Sequence, residues 1–264
     1  MNSLEPNNFL AHNHPHERDS RIVFDEGPHV YTIDGSSADY ISVTTFNKRN
    51  FDEFNADVII AKMMLSKRWP QNKYFGQTVA EIKMGWDKNR DDAAAAGTKI
   101  HKDIESYYNQ GNVVNDSIEY IYFKQFCHEI TGKNLKPYRT EWTIFHEDLK
   151  LAGSIDMVFE KTNGNLCIYD WKRCKEIVTV NSFQKYGKIE CIKHLPDTNF
   201  WHYSLQLNTY KAILEIKYGK KVDEMWLVCL HPDNKNKNYQ LFDVPDLQKE
   251  VHDLFRMRHH EISS

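Results

Sequence analysis

The sequence predicts an α/β fold: a central mixed sheet flanked by helices, preceded by a helix-rich N-terminal elaboration. Three observations predict it. Residues 138–172 hold three short runs rich in β-branched and aromatic residues, separated by turn residues, which is the pattern of an antiparallel meander. On both sides of it, apolar residues recur at helical spacing. After the second helical stretch, residues 225–230 form a short apolar run that suits a buried strand. Helices, then a meander, then helix, strand and helix fit one sheet with helices packed on it.

In chain order, residues 21–24, 30–33 and 40–45 read as strands, with Asp34-Gly35 as a turn signal. Residues 51–96 read as helical. Val58, Ile59, Met63 and Met64 form one apolar stripe, Val79, Ile82 and Trp86 another, and Pro70 separates them. Asp91-Asp92 is expected to cap a helix that begins in 93–96 and runs toward Gln110, because acids suit a helix N-terminus. Gly111-Asn112 ends it, and a further helix covers 117–130 up to Gly132. The meander strands are 138–145, 149–160 and 166–172, with turns at Glu147-Asp148 and Asn163-Gly164. Residues 174–198 show no period and read as a long loop or lid. A helix at 201–218, an edge strand at 239–242 and an amphipathic helix at 246–258 complete the chain.

Composition bounds the function classes. The 264 residues are 41% hydrophobic and 27% charged, ample for a core and unlike disordered, collagenous or coiled-coil sequences. Cys127, Cys167, Cys174, Cys191 and Cys229 are odd in number and form no C-x-x-C pair, which argues against a disulfide framework or a zinc site and for an intracellular, reducing compartment. No apolar run reaches the roughly 18 residues of a membrane span, and the polar N-terminus lacks a secretory h-region. Residues 1–20, with His12, His14 and His16, read either as a metal-catching tract or as a flexible, solvated tail, and the tail is the expectation. The net charge of −3 speaks mildly against a nucleic-acid partner.

The chemistry-bearing residues are Gly153-Ser154-Ile155-Asp156 and Tyr169-Asp170-Trp171-Lys172. Leu166, Ile168, Asp170 and Lys172 share one strand face, so an apolar strand ends in an acid and a base. Burying such charges is costly unless they are paired or metal-bound. Asp156, on the neighbouring strand, is placed to meet Asp170, and two carboxylates beside a lysine suit a divalent cation and its bound water. The plain alternative is an ordinary Asp–Lys pair. Upstream, His101 and Glu105 stand at i and i+4 on a helix that Gly97 opens. Downstream, Gln206 and Tyr210 have the same spacing.

Taken in order, Gly-x-x-x-His, a strand Glu (Glu141), Gly-x-x-Asp, Asp-x-Lys and Gln-x-x-x-Tyr resemble the PD-(D/E)XK nuclease superfamily, in particular its RecB-like exonuclease branch of the mitochondrial genome maintenance type. The resemblance spans residues 97–210. It implies a restriction-endonuclease-like fold and a metal-dependent DNA exonuclease acting on single strands or ends to leave 5′-phosphates. It implies one or two Mg²⁺ or Mn²⁺ ions on Asp156, Asp170, the Trp171 carbonyl and His101, the nitrogen ligand making Mn²⁺ acceptable. Lys172 would act on the attacking water and the phosphate, and Gln206 and Tyr210 would line the site. Glu141 is either a ligand or supporting carboxylate or merely a strand residue, and Glu105 is a weaker candidate of the same kind. Some relatives carry an iron–sulfur cluster built from one cysteine before the core and three after it. Only Cys229 follows Tyr210 here, so no such cluster is expected.

Local charge differs from the total. Residues 62–90 carry Lys62, Lys67, Arg68, Lys73, Lys83, Lys88 and Arg90 against Glu81 and Asp87, a balance of +5, interleaved with Trp69, Tyr74, Phe75 and Trp86. Residues 171–194 carry Lys172, Arg173, Lys175, Lys185, Lys188 and Lys193 against Glu176 and Glu190, a balance of +4. Bases with stacking rings suit single-stranded nucleic acid. Lys67, Arg68, Lys73, Arg173 and Lys175 are therefore candidate DNA contacts, while Trp86 falls on an apolar stripe and reads as core. The expected organisation is a tail (1–20), an N-terminal helical wall (21–96) and a nuclease core (97–264) forming one compact unit. A structure-specific endonuclease and a non-catalytic nucleic-acid scaffold are the alternatives.

Overall fold

The structure is a computed structural model and describes residues 8–264. A short helix, α1 (Phe9–Asn13), leads through a 3₁₀ turn at Asp19–Arg21 into an antiparallel hairpin of β1 (Ile22–Asp25) and β2 (Val30–Ile33). β3 (Ile41–Ser42) enters α2 (Val43–Lys48), followed by α3 (Ala56–Met64) and the 30-residue α4 (Val79–Tyr108). Then come α5 (Ile118–Thr131) and the meander β4 (Lys136–His146), β5 (Leu151–Glu160) and β6 (Leu166–Lys172). A long loop holding one 3₁₀ turn (Glu190–Ile192) precedes α6 (Asn199–Lys217), β7 (Val222–Cys229), β8 (Gln240–Asp243) and α7 (Gln248–Ser263).

The main sheet is mixed. β4, β5 and β6 pair antiparallel, β7 joins β6 in parallel and β8 joins β7 antiparallel. The parallel β6–β7 pair needs a crossover, and α6 supplies it. β3 runs parallel to the first residues of β5. Helices cover both faces, as the sequence predicts. Leu166 and Ile168 pack in one core with Leu205, Leu207 and Ile213 of α6 and Val251 and Leu254 of α7. Cys167, Tyr169 and Trp171, on the opposite face of β6, pack with Ile100 and Ile104 of α4 and with Phe123 and Phe126 of α5. The Phe123 and Phe126 rings stand edge-on to Trp171 at 5.7 and 5.2 Å, pairs worth about 0.5–1.5 kcal/mol each beyond area burial.

Four expectations are corrected. First, Asp91-Asp92 caps nothing. α4 starts at Val79, where Thr78 and Glu81 form a capping box, and it continues through Gly97. A glycine costs a helix only about 1 kcal/mol, too little to stop one with strong formers on either side. The 96/97 boundary thus falls inside a single helix. Second, the strand expected over 40–45 shrinks to Ile41–Ser42, and the chain is helical from Val43. The Ser42 hydroxyl accepts from the Thr45 N–H at 3.0 Å, and this cap outweighs the β-branched run behind it. Third, α3 buries Ile60 rather than its predicted stripe, with Val58 and Ile59 exposed. Fourth, residues 8–20 are not a solvated tail. Leu10 is buried and its N–H donates to Asn109, Arg18 pairs with Glu147, and Asp19 pairs with Arg139. His14 lies against Tyr138 and His16 against Tyr218, and His12, His14 and His16 form no convergent ligand group among the described residues. Residues 1–7 lie outside the described residues.

Candidate functional site

The site forms where two strands part. The β5–β6 ladder ends at Met157 opposite Tyr169, so Asp156 and Asp170 stand one position beyond the last pair. There the Asp156 carboxylate, rather than a backbone carbonyl, accepts the N–H of Trp171 at 2.8 Å. The parting also leaves the Trp171 carbonyl 3.0 Å from Nε2 of His101, which α4 projects across the gap. From β4, Glu141 completes the group. His101 Nδ1 is 3.6 Å from a carboxylate oxygen of each of Glu141 and Asp156. Glu141 sits at φ +41°, a left-handed conformation that costs a residue with a side chain stability and gathers at functional sites. Its other carboxylate oxygen accepts from the Ser154 hydroxyl at 3.0 Å.

On the far side of Asp156, Asp170 is buried and ion-paired with Lys172. The Lys172 ammonium also lies 4.5 Å from the centre of the Tyr203 ring. Gln206 donates to the Tyr210 hydroxyl at 3.0 Å, so the i, i+4 pair of α6 is closed on itself at the site wall. Tyr210 is buried because residue 153 is glycine. A Cβ there would lie 2.7 Å from Tyr210 Cε1.

Electrostatics follow this crowding. Burial, Asp156 and Glu141 compete at His101, and the carboxylates win, lifting it to about 9. Burial, reinforced by Asp156 and opposed by Lys172, pushes Asp170 up to about 6. Asp156 is raised by burial and by Glu141, against the pull of His101 and Lys172. Burial works against the Lys172 charge, but Asp170 and Asp156 overcome it and hold the ammonium protonated. The Tyr210 hydroxyl is pushed well up by burial, with both aspartates adding to it.

The donor set fits a divalent cation. One ligand atom each from His101, Glu141 and Asp156 lies within 4.8 Å of the others, all half-buried and reachable. The Trp171 carbonyl lies beside them. The grouping differs from the expectation at one point. Glu141 stands with His101 and Asp156, while Asp170 faces Lys172. Its Oδ2 is buried against the Lys172 ammonium. Glu105 lies one helical turn on from His101, half-buried, and is not among the three convergent groups. Sequence reasoning missed Tyr203, and it singled out Ser154 only as part of Gly-x-x-Asp, without its bond to Glu141. Tyr203 precedes Gln206 by three, the other same-face spacing on a helix, and that was the available signal. Cys229 is Lys172's neighbour in the β6–β7 ladder, with its thiol donating to the Cys174 carbonyl.

The basic candidates divide. Lys67, Arg68, Lys73 and Lys175 are exposed. Arg173 is largely buried and pairs with Glu119 at 2.7 Å, so its charge is already answered within the fold. Trp86 is half-exposed beside Phe54 and Tyr74, which corrects its reading as core.

No family model matches the chain, and no curated protein matches it. Among solved structures, one from Eubacterium rectale named "Putative exonuclease" is similar at 12% identity and a TM-score of 0.36, over 85% of this chain and 79% of that one. Among the described residues no helix is long and apolar enough to cross a membrane.

Proposed function

We propose that the protein is a divalent-metal-dependent deoxyribonuclease of the PD-(D/E)XK, restriction-endonuclease-like kind, an exonuclease on single-stranded DNA or DNA ends. One observation carries this reading: His101, Glu141, Asp156, Asp170, the Trp171 carbonyl and Lys172 reach one sheet parting from four separate elements. An ordinary surface Asp–Lys pair needs none of that convergence, and burying Asp170 and Lys172 is expensive without a purpose.

His101, Glu141, Asp156 and the Trp171 carbonyl would hold Mg²⁺ or Mn²⁺, with Asp170 adjoining. Such an ion supplies Lewis acidity and acidifies a bound water near neutral pH. The chain's own residues do the rest. Lys172, kept charged by Asp170 and Asp156, offers a cation to the phosphate and a point of orientation for the attacking water. Asp170 and the Tyr203 ring hold that ammonium in place. Gln206 and Tyr210 form the wall against which the sugar–phosphate chain rests, and Tyr210 keeps its proton because burial and the aspartates oppose its loss. In-line hydrolysis by this arrangement leaves a 5′-phosphate and a 3′-hydroxyl.

The test is direct. Purified protein is incubated with end-labelled single-stranded, duplex and closed circular DNA in Mg²⁺, in Mn²⁺ and in EDTA. The expected outcome is shortening of linear strands in either metal and none in EDTA, with Asp170→Asn and Lys172→Ala at least about a hundredfold slower, the scale of losing an electrostatic catalytic group. Cutting of closed circles would reassign the protein as an endonuclease. Binding without cutting would make it a scaffold. Full activity in either variant would overturn the site assignment.

A further inference from the structure

Two of the five cysteines meet beside Lys172. Cys229 is the last residue of β7 and the register partner of Lys172, the last residue of β6. Cys174 follows two positions later, where the chain has left the sheet for the long loop. The Cys229 thiol donates to the Cys174 carbonyl at 3.1 Å, and the Cys174 thiol is hydrogen-bonded to the Cys229 sulfur. Among the described residues no other two cysteines are joined in this way. Cys127 bonds instead with the Tyr108 hydroxyl, and Cys167 lies in the core on the opposite face of β6.

The two thiols differ in reach and in freedom. Cys229 is fully buried and Cys174 half-buried. Cys229 is held between two strands, opposite Lys172 on β6 and Gln240 on β8. Cys174 lies beyond the last rung of the ladder, so it is the partner free to move. Tyr203, whose ring holds the Lys172 ammonium at 4.5 Å, packs on the same apolar cluster as both cysteines.

We propose that Cys174 and Cys229 are a reversible oxidation site, closed to a disulfide by a hydroperoxide, and that closure slows cleavage by displacing Lys172. The rate effect rests on the nuclease reading, whereas the disulfide does not. The exposed edge of Cys174 meets the oxidant first. Its sulfur attacks the O–O bond of hydrogen peroxide, keeps one oxygen as a sulfenic acid, and the other oxygen leaves as water with the thiol proton. The Cys229 sulfur then displaces that hydroxyl, which leaves as a second water with the Cys229 proton as the S–S bond forms. Two thiols lose two electrons and one peroxide gains them. A dithiol reverses the step through a mixed disulfide. In a reducing compartment such a bond is transient, which suits a sensor rather than a structural brace.

Closing the bond draws the two sulfurs together by about 1.5 Å from non-bonded contact. With β7 fixed in the sheet, the movement falls on the chain just past Lys172, whose ammonium Asp170 and Tyr203 position. A misplacement of about 1 Å costs on the order of a hundredfold in rate.

The test treats the reduced full chain with hydrogen peroxide in EDTA, removes the peroxide, and reads two quantities: disulfide links by non-reducing peptide mapping, and single-strand cleavage after Mg²⁺ is added. The expected result is a Cys174–Cys229 link and cleavage slower by about a hundredfold, both reversed by dithiothreitol. Cys174→Ser is expected to form no link and to cleave at the wild-type rate before and after peroxide. Cys229→Ala repeats the test from the buried side. Cys191→Ser, which removes the other half-buried thiol, is expected to behave as wild type throughout. No link at saturating peroxide would overturn the site. So would a link that leaves the rate unchanged, or a rate loss that Cys174→Ser and Cys229→Ala share with wild type. If the link forms but the reduced protein cleaves no DNA, the nuclease reading fails and the rate effect with it, because the mapping needs no substrate.

Discussion

Tyr210 takes the space that a side chain at position 153 would need. That close approach gives the glycine of Gly-x-x-Asp a packing reason, and it makes Gly153→Ala a sharp probe. The added methyl must push a buried ring or bend β5, and overpacking of this kind costs about 1–3 kcal/mol. The expected result is a melting temperature lower by several degrees and slower single-turnover cleavage, because the moved ring carries the Gln206 hydrogen bond with it. An unchanged melting temperature would mean that the backbone gives way freely there. Glu141 makes a related point. Its place on a strand left its role open, and only its left-handed backbone and its distance to His101 bring it into the group with His101 and Asp156. Asp156, Asp170 and Lys172 were legible because period-two alternation puts an acid and a base at the end of an apolar strand.

Between elements, the N-terminal segment has the strongest unexpected anchoring. The Arg18 guanidinium makes two hydrogen bonds to the Glu147 carboxylate, at 2.7 and 3.1 Å, and lies 4.0 Å from the centre of the Phe145 ring. Burial raises the Glu147 pKa, but Arg18, and then Lys217, outweigh burial and bring it from 4.5 down to about 2. A carboxylate depressed on folding stabilises fully above its unfolded value and loses that contribution as pH falls through its folded value. Glu147→Gln is therefore expected to lower stability at pH 7 by on the order of 2 kcal/mol, after allowance for partial solvent screening. The gap to wild type should close as pH falls from about 5 toward 2. Denaturant midpoints of both proteins across that range measure it, and a gap that stays constant with pH would rule the linkage out. The helix boundaries teach a related lesson. Thr78-x-x-Glu81 started α4 while Asp91-Asp92 drew attention, because acids suit a helix N-terminus but do not create one.

Across the whole molecule, a net charge of −3 conceals an uneven field. Glu141, Asp156 and Asp170 gather at the parting of the sheet, while Lys67, Arg68 and Lys73 lie exposed along the connection between α3 and α4. If a single strand follows that wall, reversing these three charges should weaken DNA binding and flatten its salt dependence. The log–log slope should fall by about 0.7 for each phosphate that is no longer neutralised, roughly two in all. Titrations from 50 to 200 mM salt measure the slope, and a slope equal to wild type would remove these residues from the DNA path. Arg173 should contribute little to that slope, because Glu119 already neutralises it.

The sequence by itself determined the mixed α/β class, the antiparallel meander with β6 at Leu166–Lys172, and the order in which the chemical groups arrive along the chain. These follow from local geometry, since alternation, turn residues and helical spacing are set by neighbours a few positions away. The tertiary structure decided that β5 and β6 part after Met157 and Tyr169, that His101 reaches the Trp171 carbonyl 70 positions away, and that Glu141 rather than Asp170 shares its group. It also decided that Trp86 faces a notch instead of a core. Those distances depend on which faces pack together across the sheet, and no short window of sequence contains both sides of such a contact.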